Sequence, residues 1–175
     1  MPSQKINIVK VLLKDKHKLL EIGRQTFYDA FGPPHNTEEN IHYYLNQKFT
    51  LPKITNEILN TQSKFFFAIQ KNEIAGYFKL NFEEAQTEKV KGKSMEIERI
   101  YITYHYQGAG FGQQLINKAI KIAKEKKVDF IWLGVWDKNL KAIEFYKRNG
   151  FKIFDNHIFM LGSDEQIDNM MKLIL

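Results

Sequence analysis

Apolar and polar positions change rhythm several times along this chain. "KINIVKV" reads as a strand, and Asp15 to about Phe31 reads as a helix. "GPPHN" stops that helix, because proline cannot continue the backbone ladder. Thr37, preceded by Asn36 and followed three residues later by Asn40, can cap a second helix running to about Lys48, and "LPKITNEILN" reads as a third, short one. The runs "KFFFAIQ", "EIAGYFKLNFE" and "MEIERIYIT" are aromatic and β-branched, with "KNE" after the first as a hairpin turn. Leu115, Ile116, Ala119, Ile120, Ile122 and Ala123 then mark one apolar face of a helix opened by "QGAGFGQQL". A buried-looking strand "FIWLGVW", a helix from about Lys138 to Arg148, and the late strands "FKIFDNHIFML" and "DNMMKLIL" complete the chain. No linker, repeat or low-complexity segment interrupts it. Antiparallel strands followed by strand–helix–strand–helix–strand predict an α/β fold of mixed α+β character: one twisted, mixed sheet with helices on both faces, in a single domain over residues 1–175.

Composition narrows the class. With 175 residues, 43% hydrophobic and 26% charged, the chain can bury one sizeable core and is not a disordered polymer. The absence of cysteine removes disulfides, thiolate nucleophiles and cysteine-based metal sites, and fits a reducing compartment. "MPSQKINIVKV" has no apolar export core, and the longest apolar runs, "FFFAI" and "FIWLGVW", are too short to span a bilayer, so the expected location is the cytoplasm with no membrane partner. A net charge of +6 invites a nucleic-acid reading. The lysines are dispersed, however: Lys118, Lys121, Lys124, Lys126 and Lys127 lie on the outer face of one helix, as a solvated face or as a basic collar for an anionic cofactor. No helix-turn-helix, zinc-finger or RNP-like motif is present, so nucleic acid is not an expected partner.

The stretch "QGAGFGQQL" carries the chemistry. Gly108, Gly110 and Gly112 leave a backbone without side chains directly before a helix start, where free amides and the positive end of the dipole suit a phosphate or pyrophosphate. A tight strand-to-helix turn with no ligand is the alternative on the loop alone. The spacing is not the Rossmann G-x-G-x-x-G, and Asp129 precedes its strand instead of ending it. A Walker loop needs GK before Ser or Thr, where Gln113 and Gln114 stand here, and a kinase glycine loop joins two strands.

Gln107-Gly108-Ala109-Gly110-Phe111-Gly112 resembles the Q/R-x-x-G-x-G/A pyrophosphate loop of the GNAT (GCN5-related) N-acetyltransferases, after a strand "ERIYITYHY" of the expected character. "NLKAIEFYKRNGF" resembles that family's second signature, with Asn139, Ala142, Phe145-Tyr146 and Gly150-Phe151 in its positions. Within the family, "TFYDAF", "NTEEN", "FFFA", "IAGYFKLN", "WLGVWDKN" and the tail "MLGSDEQ" are similar to the PaiA-type spermidine/spermine acetyltransferases. Phe111 departs from the pattern, being bulky where smaller or basic residues are common. The resemblance implies a seven-stranded, mostly antiparallel GNAT sheet and acetyl-CoA as cofactor. It also implies direct attack by a primary amine in a ternary complex, a polyamine foremost. A protein N-terminus, a lysine or another small amine is the same-fold alternative; a non-catalytic module binding coenzyme A or nucleic acid is the alternative of another class. The implied partners are a small amine and, as an option, a second copy in a homodimer. The implied cofactor set is Ile100, Tyr101 and Ile102 for pantetheine, Gln107, Gly108, Ala109, Gly110, Phe111, Gly112 and Gln113 for pyrophosphate, and Asn139, Ala142 and Tyr146.

Acetyl transfer to an amine needs a neutral amine, an oxyanion site and a proton for the thiolate. A backbone amide near Tyr101 or Ile102 is the expected oxyanion donor. Tyr146, a phenol of pKa ~10, is the expected acid for a thiolate whose conjugate acid lies near ~8.5; a core tyrosine is the bland alternative. Glu96 and Glu98, two residues apart on a face that Ile100 and Ile102 would continue, are the expected carboxylates at the reaction, with Glu98 as base or water-positioner, unless they form a salt-bridged pair. Tyr28, Asp29, Glu38, Glu39, Tyr77, Glu96 and Trp136, with Phe31, Glu83 and Glu84, are the expected acceptor-side residues; surface charge and core packing are their plainer roles. The histidines lack ligand spacing, so no metal is expected, and no G-x-S-x-G elbow suggests an acyl-enzyme.

Overall fold

The computed structural model describes residues 5–175; residues 1–4, part of the stretch read above for an export signal, lie outside the described residues. The elements are β1 Asn7–Lys10, α1 Lys16–Phe31, α2 Glu38–Lys48, α3 Leu51–Leu59, β2 Ser63–Gln70, β3 Glu73–Phe82, β4 Ser94–Ile102, α4 Phe111–Glu125, β5 Phe130–Trp136, α5 Leu140–Arg148, β6 Lys152–Leu161 and β7 Asp164–Ile174. Local chemistry sets their ends. Thr37 Oγ1 accepts from Asn40 N at the start of α2, Thr50 does the same for α3, and Lys71 and Asn72 take the positive φ of a tight hairpin between β2 and β3. Single-turn 3₁₀ segments at Leu13–Asp15, Glu83–Ala85 and Tyr104–Tyr106 were not predicted, and β7 begins at Asp164, before the predicted apolar run. That extension follows from hairpin pairing, since β6 and β7 match from Leu161↔Asp164 onward whatever the polarity of the residues.

The strands form one seven-stranded sheet in the order β1-β2-β3-β4-β5-β7-β6. Only β4 and β5 pair in parallel. One face packs against α4 and α5 through Phe78, Leu80, Met95, Ile97, Ile131, Leu133 and Val135; the other packs against α1, α2 and α3 through Phe65, Phe67 and Tyr77. This alternation is what a sheet covered on both sides requires.

Two irregularities in β4 position the site. Its pairing with β3 runs Gly76↔Ile102 to Lys79↔Arg99 and then shifts to Leu80↔Ile97, leaving Glu98 as the extra residue of a bulge. Its pairing with β5 covers Ser94↔Phe130, Met95↔Ile131 and Glu96↔Trp132, and beyond those the two strands diverge. The bulge corrects one expectation. Ile100 and Ile102 do not continue the face of Glu96 and Glu98: they join Met95 and Ile97 toward α4, while Arg99 and Tyr101 turn toward α1–α3. An extra residue inverts period two, which a uniform alternation cannot anticipate.

Gly76 tests this arrangement. A Cβ built there would run into the carbonyl oxygen of Tyr101 and lie 2.8 Å from Ile102 Cδ1. Gly76→Ala should therefore push β4 away and lower stability by at least about 2 kcal/mol, read from denaturant unfolding. A loss below half a kilocalorie would mean that β4 has slack at the divergence.

Candidate active site

Past Glu96 and Trp132, β4 and β5 each present an edge that the other no longer pairs. Such edges carry free amides and carbonyls and accept an extended polar chain. The segment after β4 closes the far end: Gln107 Nε2 donates to Ile102 O at 3.1 Å, which holds the glycine loop against the strand. Gly108 and Gly110 have φ of 82° and 79°, and a Cβ at Gly108 would meet nothing within 4 Å. Gly110 is the N-cap of α4 and gives no side-chain cap. Among the described residues, no carbonyl or side chain accepts from the amides of Gly108 through Gln113. Left-handed glycines, open space and uncapped amides at a 15-residue helix fit a pyrophosphate. Phe111 leaves the loop clear, being 1% exposed and packed into the core beside Tyr106.

The second signature lies against the first. A Cβ on Gly112 would touch Phe145, and Gln113 Nε2 donates to Asn149 Oδ1 at 2.6 Å, so the start of α4 and the end of α5 are joined. Asn139 caps α5, its Oδ1 accepting from Ala142 N at 3.1 Å. Tyr146 is buried, edge-on to Phe145 and Phe151, and its hydroxyl has no hydrogen-bond partner among the described residues. Burial raises its pKa, so the phenol keeps its proton throughout the neutral range. Of the predicted cofactor residues, Gln107 ties the glycine loop to Ile102 and Gln113 ties it to the end of α5, which carries Ala142 and Tyr146 behind the cap of Asn139, while Tyr101 points its ring to the opposite face, against Tyr77.

The two glutamates differ. Glu98 receives Lys79 Nζ at 2.5 Å, Arg99 Nη2 at 3.4 Å and Asn81 Nδ2 at 2.6 Å. Burial alone would raise its carboxyl, but the Arg99 and Lys79 charges outweigh burial and hold Glu98 below the usual carboxylate range. Glu57 from α3 completes the cluster, meeting Arg99 at 2.9 Å and Lys79 at 3.4 Å. This is the salt-bridged arrangement of Glu98, and a carboxylate so held is a weak proton acceptor. Glu96 is 3% exposed and accepts from Thr87 N, Thr87 Oγ1 and Asn81 Nδ2; burial raises its pKa and those hydrogen bonds offset only part of the rise.

The acceptor-side expectations divide. Trp136 stands with Phe31 (6.2 Å between ring centroids) near the opening. Tyr77 is corrected to a core residue: it is fully buried, and its hydroxyl lies 3.5 Å from where a Cβ on Gly23 would sit. Tyr28 donates to Glu38 at 2.5 Å, Glu38 pairs with His42, and Asp29 accepts from Gln25, all on the outer side of α1 and α2 with Glu39. Glu83 and Glu84 are exposed. Sequence reasoning missed Tyr44, Phe159, His157, Asp168 and Glu88. Tyr44 lies tilted against Phe159, 5.5 Å between ring centroids, and burial with the nearby charges of Glu98 and Asp168 pushes its hydroxyl up to about 12, against the opposing effect of Arg99. Trp136↔Asp168 and Asp168↔His157 are register partners, so these three form one row across β5, β7 and β6. Only the strand order, with β7 inserted between β5 and β6, makes that row.

Comparison with known proteins agrees with this geometry. The chain matches the Acetyltransferase (GNAT) family over residues 20–151. It is 38% identical over 170 residues to an uncharacterised N-acetyltransferase of Lactobacillus delbrueckii subsp. lactis, covering 97% of this chain and 98% of that one. It is 28% identical to a spermidine N(1)-acetyltransferase of Thermoplasma acidophilum, over 91% of this chain and 93% of the other. In fold it is similar to the PaiA N-acetyltransferase of Thermoplasma acidophilum, solved in complex with coenzyme A, with a TM-score of 0.78, 24% identity, and coverage of 98% and 100%.

The charge cluster yields a stability prediction. Glu98→Gln leaves buried Lys79 with one carboxylate fewer and should lower stability near neutral pH by about 3 kcal/mol. A carboxyl held below its unfolded value contributes fully above that value and loses the contribution as pH falls through the folded one. The deficit of Glu98→Gln against the parent should therefore be constant above about pH 5 and shrink on acidification toward pH 3, measured by urea unfolding. An unchanged melting temperature with a large loss of rate would return Glu98 to the reaction itself.

Proposed function

The chain belongs to the GNAT acetyltransferase family, whose members are acetyl-CoA-dependent acyltransferases, and from that premise we propose that it acetylates a primary amine by direct attack, with a polyamine as acceptor. The observation that carries the reading is the pairing of two unlike surfaces at one opening. On one side lie unpaired backbone groups and uncapped amides, suited to an anionic cofactor. On the other, although the chain has a net charge of +6, stand Asp168, Glu88, Glu96 and Glu98 among Tyr44, Phe31, Phe159 and Trp136. Carboxylates set among rings suit a chain of methylenes bearing ammonium groups. The spermidine N(1)-acetyltransferase of Thermoplasma acidophilum, similar over most of the chain, supports the same choice.

Bound acetyl-CoA supplies an activated acetyl thioester. Amides from Gly108 to Gln113 would hold its pyrophosphate, and the open edge of β4 from Ile100 to Ile102 would orient its pantetheine, with the amide of Ile102 facing the developing oxyanion, since alternation from the Thr103–Ala75 bond turns the Tyr101 amide toward β3. Tyr146 holds a proton next to that edge and gives it to the leaving sulfur. The Lys79–Glu98–Arg99–Glu57 cluster keeps the bulge, and with it the opening, in place.

Two measurements test the assignment. Coenzyme A should raise the melting temperature by mass action, and Gly108→Glu, which sends a negative side chain into open space at some backbone cost, should abolish the rise while the protein still folds. An undiminished rise would put the cofactor elsewhere. With spermidine, spermine, other amines and peptides as acceptors, thiol release should be fastest with the polyamines. Tyr146→Phe should lower kcat by ~10²-fold at every pH with acetyl-CoA affinity unchanged. No turnover with any amine would favour a non-catalytic coenzyme A-binding module.

A further inference from the structure

The middle of β5 contains an exposed residue where a buried one is expected. Leu133 and Val135 are 1% and 6% exposed, yet Gly134 between them is open to solvent on the α1–α3 face. Had β4 and β5 stayed paired in parallel past Glu96↔Trp132, Gly134 would stand level with Glu98, so the open spot adjoins the divergence of the strands. A Cβ on Gly134 would lie 3.4 Å from Asp168 Oδ2 and 3.4 Å from both Cε1 and Nε2 of His157. The missing side chain therefore leaves a small space bordered by a carboxylate oxygen and an imidazole nitrogen.

The imidazole of His157 borders that space with Nε2 and Cε1. Its side chain is 20% exposed; Nδ1 lies 3.3 Å from Glu88 Oε1, and Nε2 lies 3.5 Å from Asp168 Oδ2. Nδ1 is shut off from solvent and makes no hydrogen bond among the described residues, Glu88 Oε1 standing 3.3 Å away as its neighbouring carboxylate, while Nε2 borders the space over Gly134 beside Asp168. The described residues include no group of three or more His, Asp or Glu side chains arranged to hold a metal, which sets the cluster apart from a metal site. Glu98, the other basic group at this level, is occupied by Lys79, Arg99 and Asn81.

We propose that His157 takes the proton from the acceptor amine in the space over Gly134, with the Glu88 carboxylate beside Nδ1 and Asp168 contacting the ammonium. The inference rests on the amine-acetylation reading and names the residue that makes the amine nucleophilic. An N–H bond of the ammonium breaks and its proton passes to Nε2. The freed electron pair forms the amide C–N bond as the thioester C–S bond breaks, and the sulfur receives the Tyr146 proton. The second proton lost by the nitrogen restores Tyr146 through solvent, the imidazolium releases its own, and one proton is produced per turnover. The charged groups facing the imidazole are Asp168 of β7, Glu88 from the segment leading into β4, and Glu96 of β4; the contact with Asp168 raises the imidazole pKa above its ordinary value, burial opposes it, and the charges of Asp168, Glu88 and Glu96 add to the rise. A stronger base is better matched to an alkylammonium.

The test is the pH dependence of acetyl transfer to spermidine. In the parent, kcat/KM should rise with pH through the titration of His157. His157→Gln should lose ~10²-fold in kcat near neutral pH with the KM for acetyl-CoA unchanged, and the deficit should shrink as pH rises and the amine sheds its proton unaided. Glu88→Gln removes a negative charge beside the imidazole, so it should move the acid limb to lower pH, a shift that a purely structural role would not give. Independently of turnover, spermidine added to the coenzyme A complex should lower the pKa read from the His157 imidazole proton by NMR, because a cation then sits beside it. A His157→Gln enzyme with the parental rate and limb, or a loss equal at every pH with a lowered melting temperature, overturns the proposal while leaving amine acetylation standing. If no amine is acetylated the functional reading falls, and an imidazole pKa that does not move with spermidine overturns this one as well.

Discussion

One extra residue in β4 governs the site. The bulge at Glu98 bends the strand between two well-packed stretches, and pairing with β5 is abandoned just before it. A parallel pair in the middle of a sheet ordinarily leaves no room for a ligand, because its amides and carbonyls are consumed by the ladder. Here the ladder stops after Glu96↔Trp132, and the groups beyond it are left without a partner strand on that side. The flanking contacts β3–β4 and β5–β7 are long and antiparallel, so the sheet tolerates the gap.

Holding charge at the bulge has a specific logic. Lys79 and Arg99 supply two cations and Glu57 and Glu98 two anions, from three elements, and each meets a partner within 3.4 Å. Such a cluster adds little net stability over a well-packed apolar one, but breaking it is costly, and it fixes a unique register where a bulge might slide. Arg99 also lies over the Phe49 ring at 4.7 Å, which ties α3, β4 and the turn after α2 together on the acceptor side.

Much of this was legible in the residues. Every predicted helix and strand is present, because caps at Thr37 and Thr50, the prolines after α1 and long apolar periodicities act locally. The shape of the glycine loop was legible for the same reason: the left-handed turns at Gly108 and Gly110 before α4 are marked by the missing side chains themselves. The bulge was not, since period two in "MEIERIYIT" carries no mark of an inserted residue, and the error placed Ile100 and Ile102 on the wrong face. The row Trp136–Asp168–His157 was not legible either. Its members are 11 to 32 positions apart in the chain and meet only because β7 lies between β5 and β6. The histidines were weighed against metal-ligand spacing alone, a test that does not see a single imidazole between carboxylates.

These two kinds of legibility follow from a division of labour. In the proposed site the cofactor would be met by backbone amides and an open strand edge, which any sequence with the right glycines and the right break in pairing provides. The acceptor would be met by side chains on β6 and β7, at one end of the sheet, whose outer positions Ile158 and Ile167 are exposed. A change at Asp168 or His157 alters charge over Gly134 without disturbing the core beneath Leu133 and Val135. The fold can therefore keep its thioester chemistry while its acceptor changes, which is why family membership fixes the reaction and leaves the amine to be read from this small acidic space.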